Sequence, residues 1–87
     1  MYDLVYNAEY AREWGNDILV WLTQPLLDRF RWVVVRKVGE DVFELLSADS
    51  CGNLDIPALV IFRYTGVATT AAEALQIAGY TLVGAPT

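Results

Sequence analysis

Histidine is missing from this chain of 87 residues. Its absence removes the commonest general base near neutral pH, the imidazole half of Ser-His and Cys-His pairs, and the most frequent transition-metal ligand. Cysteine is nearly missing as well: Cys51 stands alone, so no internal disulfide can form and stability has to come from packing. Such usage suits a reducing cytosol, and a cytoplasmic location is expected. Long apolar runs are also lacking. The longest aliphatic or aromatic stretches, 18–22 and 58–62, are five residues each, whereas a helix needs about 20 to span a bilayer. The start Met1-Tyr2-Asp3 has no cationic region ahead of an apolar stretch and does not read as a signal peptide. The six glycines are scattered singly, so there is neither a Walker loop nor a G-x-G-x-x-G run.

What is present points to a small dense globule. Apolar residues make up 55% of the chain and aromatics 13%, well above the range of disordered sequences. The length allows one domain, 1–87, with 84–87 expected to fray. Charge is segregated. Residues 1–28 carry five acids against Arg12, and residues 38–87 carry six against Arg63. Between them, Arg29, Arg31, Arg36 and Lys37 form a basic island without an acid, inside a chain of net charge −5. Segregation of this kind bears on what the surface can dock against more than on the fold.

The hydrophobic pattern predicts an α+β domain, in the order α-β-β-β-α-β, with an antiparallel-rich sheet of three to four strands packed on one long N-terminal helix and one short helix. Over residues 7–24, Tyr10, Ala11, Trp14, Ile18, Trp21 and Leu22 recur at spacings of three and four opposite a polar set, the signature of an amphipathic helix capped by Asn7 and stopped by Pro25. Gly15-Asn16 weakens that helix. A second reading breaks it there and makes 18–22 a strand, which β-branched Ile18 and Val20 would suit. Residues 30–38 and 42–48 read as a hairpin about a Gly39-Glu40 turn, pairing positions that sum to 79 and placing Phe30, Trp32 and Val34 on one face with Phe43 and Leu45. A register shifted by one would instead set Arg36 opposite Glu44 and Lys37 opposite Phe43. A third strand, Ala58 to Thr65 with Pro57 at its entrance, is apolar enough at its start for an interior position, and Arg63 must find an exit or a partner. Thr70-Ala71-Ala72-Glu73 is a capping box that opens a short helix closing at Gly79, followed by a last short strand, Tyr80 to Val83.

Candidate chemistry is sparse. Cys51 has no neighbour in sequence that would lower its pKa, which leaves it an ordinary loop thiol. Asp49, Cys51, Asn53 and Asp55 alternate like calcium-loop ligands, but Gly52 is fourth instead of sixth, and no acid falls at the twelfth position. Glu40-Asp41 sits in a hairpin tip, solvated and unlike the cleft a carboxylate pair needs for glycoside chemistry. The run Arg29-Phe30-Arg31-Trp32 has the composition of a single-stranded nucleic-acid site. Strand alternation argues against it, since the aromatics would enter the core while the arginines face out or pair with Asp28 and the acidic helix. No catalytic residue, cofactor or metal is expected.

Glu9, Glu13 and Asp17 recur every four residues, which on a helix stacks three carboxylates on one face. They are the candidate partner-binding residues: an acidic stripe docking on the basic surface of a protein that belongs to a nucleic-acid-binding complex. The competing reading is a solvated face kept soluble by its charge. In size, acidity and lack of catalytic groups, the chain resembles small inhibitors of the anti-CRISPR or anti-restriction type that phages and mobile elements encode. The resemblance implies a non-enzymatic protein-protein interaction module; direct nucleic-acid binding is not favoured, and no membrane binding is expected. The alternative is a small structural or assembly subunit acting as a homo-oligomer, because three tryptophans and five tyrosines exceed what a core of this size easily hides.

Overall fold

The computed structural model describes residues 6–54 and 59–84. Five strands run as a meander: β1 (Tyr6–Trp14), β2 (Asp17–Leu26), β3 (Phe30–Lys37), β4 (Val42–Ser47) and β5 (Val60–Thr65). The chain then forms the helix α1 (Ala71–Ile77) and the strand β6 (Tyr80–Val83). All strands lie in one sheet of order β5-β4-β3-β2-β1-β6. Its pairs are antiparallel except β1 with β6, which is parallel. Thus β5 and β6 are the two edges, and α1 carries the chain across one face from the first to the second, packing on β6 and β3.

The long N-terminal helix does not exist; β1 and β2 occupy its place, and the domain is a six-stranded mixed sheet with one short helix. A β-bulge counterfeited the helical spacing. Tyr6, Ala8 and Tyr10 alternate in the strand period, but the register shifts between Tyr10 and Arg12, so the apolar positions beyond it fall at spacings that mimic a helix. The break at Gly15-Asn16 and the strand at 18–22 are what form. Trp14 pairs with Asp17 across those two residues, and Gly15 takes φ +57, a positive value that glycine adopts without steric cost. With neighbours on both sides, β2 is buried on both faces: Val20 and Leu22 on one, Leu19 on the other.

The turn from β2 to β3 gave no sequence signal. Leu27 and Asp28 both have positive φ, 55 and 58, and the Arg29 N–H bonds the Leu26 carbonyl at 3.1 Å. Asn-Gly is the usual solution for two such residues, whereas a leucine in this region costs about 1–2 kcal/mol. Leu27 is 63% exposed and has little burial to lose. Leu27→Gly is therefore expected to stabilise the protein by about 0.5–1 kcal/mol, after the extra backbone entropy of glycine is set against the relieved strain. A raised thermal midpoint would show it; an unchanged or lowered one would mean the strain is not there.

The β3–β4 hairpin adopts the shifted register. Arg36 stands opposite Glu44 and Lys37 opposite Phe43, around a loop closed by the Val38 N–H on the Val42 carbonyl at 2.8 Å. This register divides the apolar residues between two faces. Val33, Val35, Phe43 and Leu45 join Leu75 of α1 in the larger core, while Val34 and Leu46 join Leu19 in a smaller cluster on the face away from the helix, closed over by Leu54. A single-faced core had favoured the other register; two apolar faces remove that preference.

The third strand is an edge and not the interior element expected. Val60 is 42% exposed, Arg63 finds a partner in Glu44 of β4 at 3.8 Å, and Pro57 and Ala58 fall outside the described residues. The short helix forms as its capping sequence requires. The Thr70 hydroxyl accepts from the Glu73 N–H at 3.2 Å, and Gly79 follows the C-cap with φ +99. Glu73 reaches one residue further back than a standard box, accepting from the Thr69 N–H at 3.2 Å. Of the tail expected at 84–87, residues 85–87 fall outside the described residues.

Candidate functional site

The three acids singled out by their spacing are not one stripe. Glu9 lies mid-strand on β1 opposite Trp21, on the face away from the helix. Glu13 lies past the bulge opposite Ile18, on the helix side, and accepts from the Tyr10 hydroxyl at 3.2 Å. Asp17 opens β2 and is consumed by an ion pair: Arg36 Nε and Nη2 donate to its two oxygens at 2.8 and 2.9 Å. Fork-to-fork geometry of this kind is the strongest form of a carboxylate contact. The Asp17 carboxylate holds the Arg36 guanidinium proton still more firmly than usual, against a smaller opposing effect of burial.

That pair belongs to a row of alternating charge. Asp17, Arg36, Glu44 and Arg63 stand in register on β2, β3, β4 and β5. Directly opposed unlike charges contribute roughly 0.2–1 kcal/mol each. The row engages one of the four cations of the basic island, Arg36, within the fold. Lys37, Arg29 and Arg31 make no ion pair among the described residues.

Strand direction places other acids together. β1 and β3 run the same way, so Glu13 at the end of one and Glu40-Asp41 after the other share an end of the sheet. The start of α1 joins them, since residues 69–71 border the same hollow as Glu13 and Lys37, a depression of about 260 Å³ floored by Ile18 and Phe43. Glu13, Glu40 and Asp41 are exposed and make no ion pair among the described residues. Glu73 adds a fourth carboxylate, which the Thr69 and Thr70 hydrogen bonds hold below the ordinary range. Sequence spacing missed this grouping because hairpin tips come together through topology; the available signal was that the tips of successive odd strands must share an end.

Residues 49–53 are a folded turn. Asp49 accepts from the backbone N–H groups of Cys51 and Asn53, both at 2.9 Å, which pulls its carboxyl below the usual range. Those bonds are an Asx-type turn. Asp55 lies outside the described residues. Gly52 in this loop is buried against the Trp14 ring: a Cβ there would stand 2.5 Å from Trp14 Cη2. Cys51 is exposed. Among the described residues, no three acidic or sulfur ligands converge as a metal ion would need, and no helix is long and apolar enough to cross a membrane.

The tryptophans divide as a partly covered sheet face would have it. Trp14 is 37% exposed, with the Arg12 guanidinium 5.3 Å from its ring centre. Trp21 and Trp32 are half-buried and directly paired across β2 and β3. Comparison with known protein families, curated proteins and solved structures finds no match to this chain.

Proposed function

We propose that the protein is a non-enzymatic docking module whose acidic end engages the basic surface of a partner protein. The observation that carries this reading is the convergence of Glu13, Glu40 and Asp41 at one end of the sheet, exposed and without ion-pair partners among the described residues. Unlike charges across an interface steer encounter and fix register more than they add affinity. A partner matched to this rim carries clustered Lys and Arg, as nucleic-acid-binding proteins do, and an inhibitor of such a complex in the cytoplasm would use this surface. Glu9, mid-strand on the other face, lies away from the rim, and Asp17 contributes through the position it gives Arg36.

Reversing Glu13, Glu40 and Asp41 to lysine is expected to abolish capture of a basic partner from the source cell, while circular dichroism and the urea midpoint stay as in the parent. The parent complex should weaken as salt rises, because exposed charges are screened beyond about 10 Å at 0.1 M ionic strength. A complex indifferent to both salt and charge reversal would sink the proposal. A second reading, self-assembly, rests on the edge strand β5, where Leu59 and Val60 are 41% and 42% exposed. Light scattering on the same charge-reversed protein separates the two: assembly through β5 would persist, and docking through the acidic end would not.

A further inference from the structure

A regular strand sends successive side chains to opposite faces. Nevertheless Arg29, Phe30, Arg31 and Trp32 line one hollow of about 300 Å³, together with Ser47 and Ala48 at the end of β4. The cause is a break in the β2–β3 ladder. Trp21 pairs with Trp32 and Leu26 with Phe30, so four residues of β2 stand against Arg31 alone. This wide irregularity sets Arg29 and Arg31 beside Trp32 at one hollow, while the Phe30 ring turns to the larger core on the helix side.

Both guanidinium groups rest on rings. Arg31 lies 4.7 Å from the Trp21 ring centre and donates through Nη1 to the Leu22 carbonyl at 3.3 Å. Arg29 lies 5.1 Å from the Phe30 ring centre. The acids nearest in sequence are engaged elsewhere: Asp28 accepts from Gln24 Nε2 at 3.2 Å, and Asp49 is closed into its turn. In a protein of net charge −5, two arginines without an ion pair among the described residues border one hollow. A guanidinium already held against a ring gives up less rotamer freedom when a ligand arrives, and its remaining donors form a planar fork that fits phosphate oxygens. The adjoining Trp32 indole offers a face on which a base can stack.

We infer that this hollow is a nucleotide site, with phosphate held by Arg29 and Arg31 and the base against Trp32. It lies at the opposite end of the sheet from the acidic rim and does not depend on the docking reading. An acidic peptide could meet the arginines but would leave the indole unused, which is why a nucleotide is favoured. The net charge supplies no long-range attraction, so affinity comes from contact.

The site is tested by titrating the full chain with AMP, adenosine, inorganic phosphate, a single-stranded hexanucleotide and hexaglutamate, read by tryptophan fluorescence and calorimetry. AMP is expected to bind more tightly than adenosine or phosphate alone by about tenfold, and Arg29→Gln with Arg31→Gln to weaken AMP by about tenfold with the urea midpoint unchanged. Arg29→Gln alone, at an exposed position, gives a partial loss should the double variant unfold. A hexanucleotide that binds much more tightly than AMP identifies single-stranded nucleic acid as the source; equal affinities identify the free nucleotide. AMP binding no better than adenosine, hexaglutamate binding as well as AMP, or an Arg29→Gln variant indistinguishable from the parent overturns the inference.

Discussion

Phe43→Ala is expected to cost about 3–5 kcal/mol, a large share of the roughly 5–15 kcal/mol that holds a typical domain folded. Phe43 is 2% exposed and heads the fully buried side chains by volume. It stands on β4 between Lys37 of β3 and Tyr64 of β5, and packs into the core beneath the helix. The chain crosses that region through the 66–70 connection, where buried Ala68 joins the same cluster, so few neighbours are free to collapse into the space a truncation leaves. The expected readout is a urea transition moved to much lower denaturant with little change in slope. Val60→Ala on the exposed edge should cost less than about 1 kcal/mol and serves as the matched control. A Phe43→Ala loss no greater than the control's would mean that Phe43 does not pack in the core beneath the helix.

Arg36→Met should cost about 2–3 kcal/mol, because it strands a carboxylate more than it loses an attraction. The Asp17 side chain is 14% exposed and that of Arg36 39%, so the pair is neither a surface contact of negligible worth nor a fully buried one. Removing the cation leaves Asp17 half-enclosed with its two charge-assisted bonds gone. The double variant Asp17→Leu with Arg36→Met should recover a good part of the loss, since two apolar side chains leave no unpaired charge. Urea midpoints for the two single variants and the double give the coupling directly. Strict additivity would show that the row from Asp17 to Arg63 is a coincidence of register with no energetic content.

Legibility from the sequence followed how local each interaction is. The helix at 71–77 was readable because its determinants, Thr70, Glu73 and Gly79, lie within ten residues of each other and act through bonds inside that segment. The strands at 30–37 and 42–47 were readable for a similar reason, the density of β-branched residues and the loop between them. Residues 6–14 were misread because Ala, Glu and Arg there carry no strand preference, and the bulge disguised the period. The candidate site suffered the same fate in stronger form. The spacing of Glu9, Glu13 and Asp17 has meaning on a helix and none on two antiparallel strands, whereas the grouping of Glu13 with Glu40 and Asp41 depends on strand direction.

The sequence by itself determined the chemistry the chain can offer: no imidazole, a single thiol, an excess of carboxylates, an island of four cations and enough apolar mass for one domain. Those are properties of side chains, independent of where the backbone takes them. Only the tertiary structure decided which charges neutralise one another and which remain to meet a partner. Arg36 is spent on Asp17 and Arg63 on Glu44, while Arg29 and Arg31 make no ion pair among the described residues and lie beside two rings. Pairing across a sheet depends on register, and register here is set by a bulge, a two-residue turn without its usual residues and an apolar supply shared between two faces. Each of these is settled by the packing of distant segments, whose free energy no local window of sequence contains.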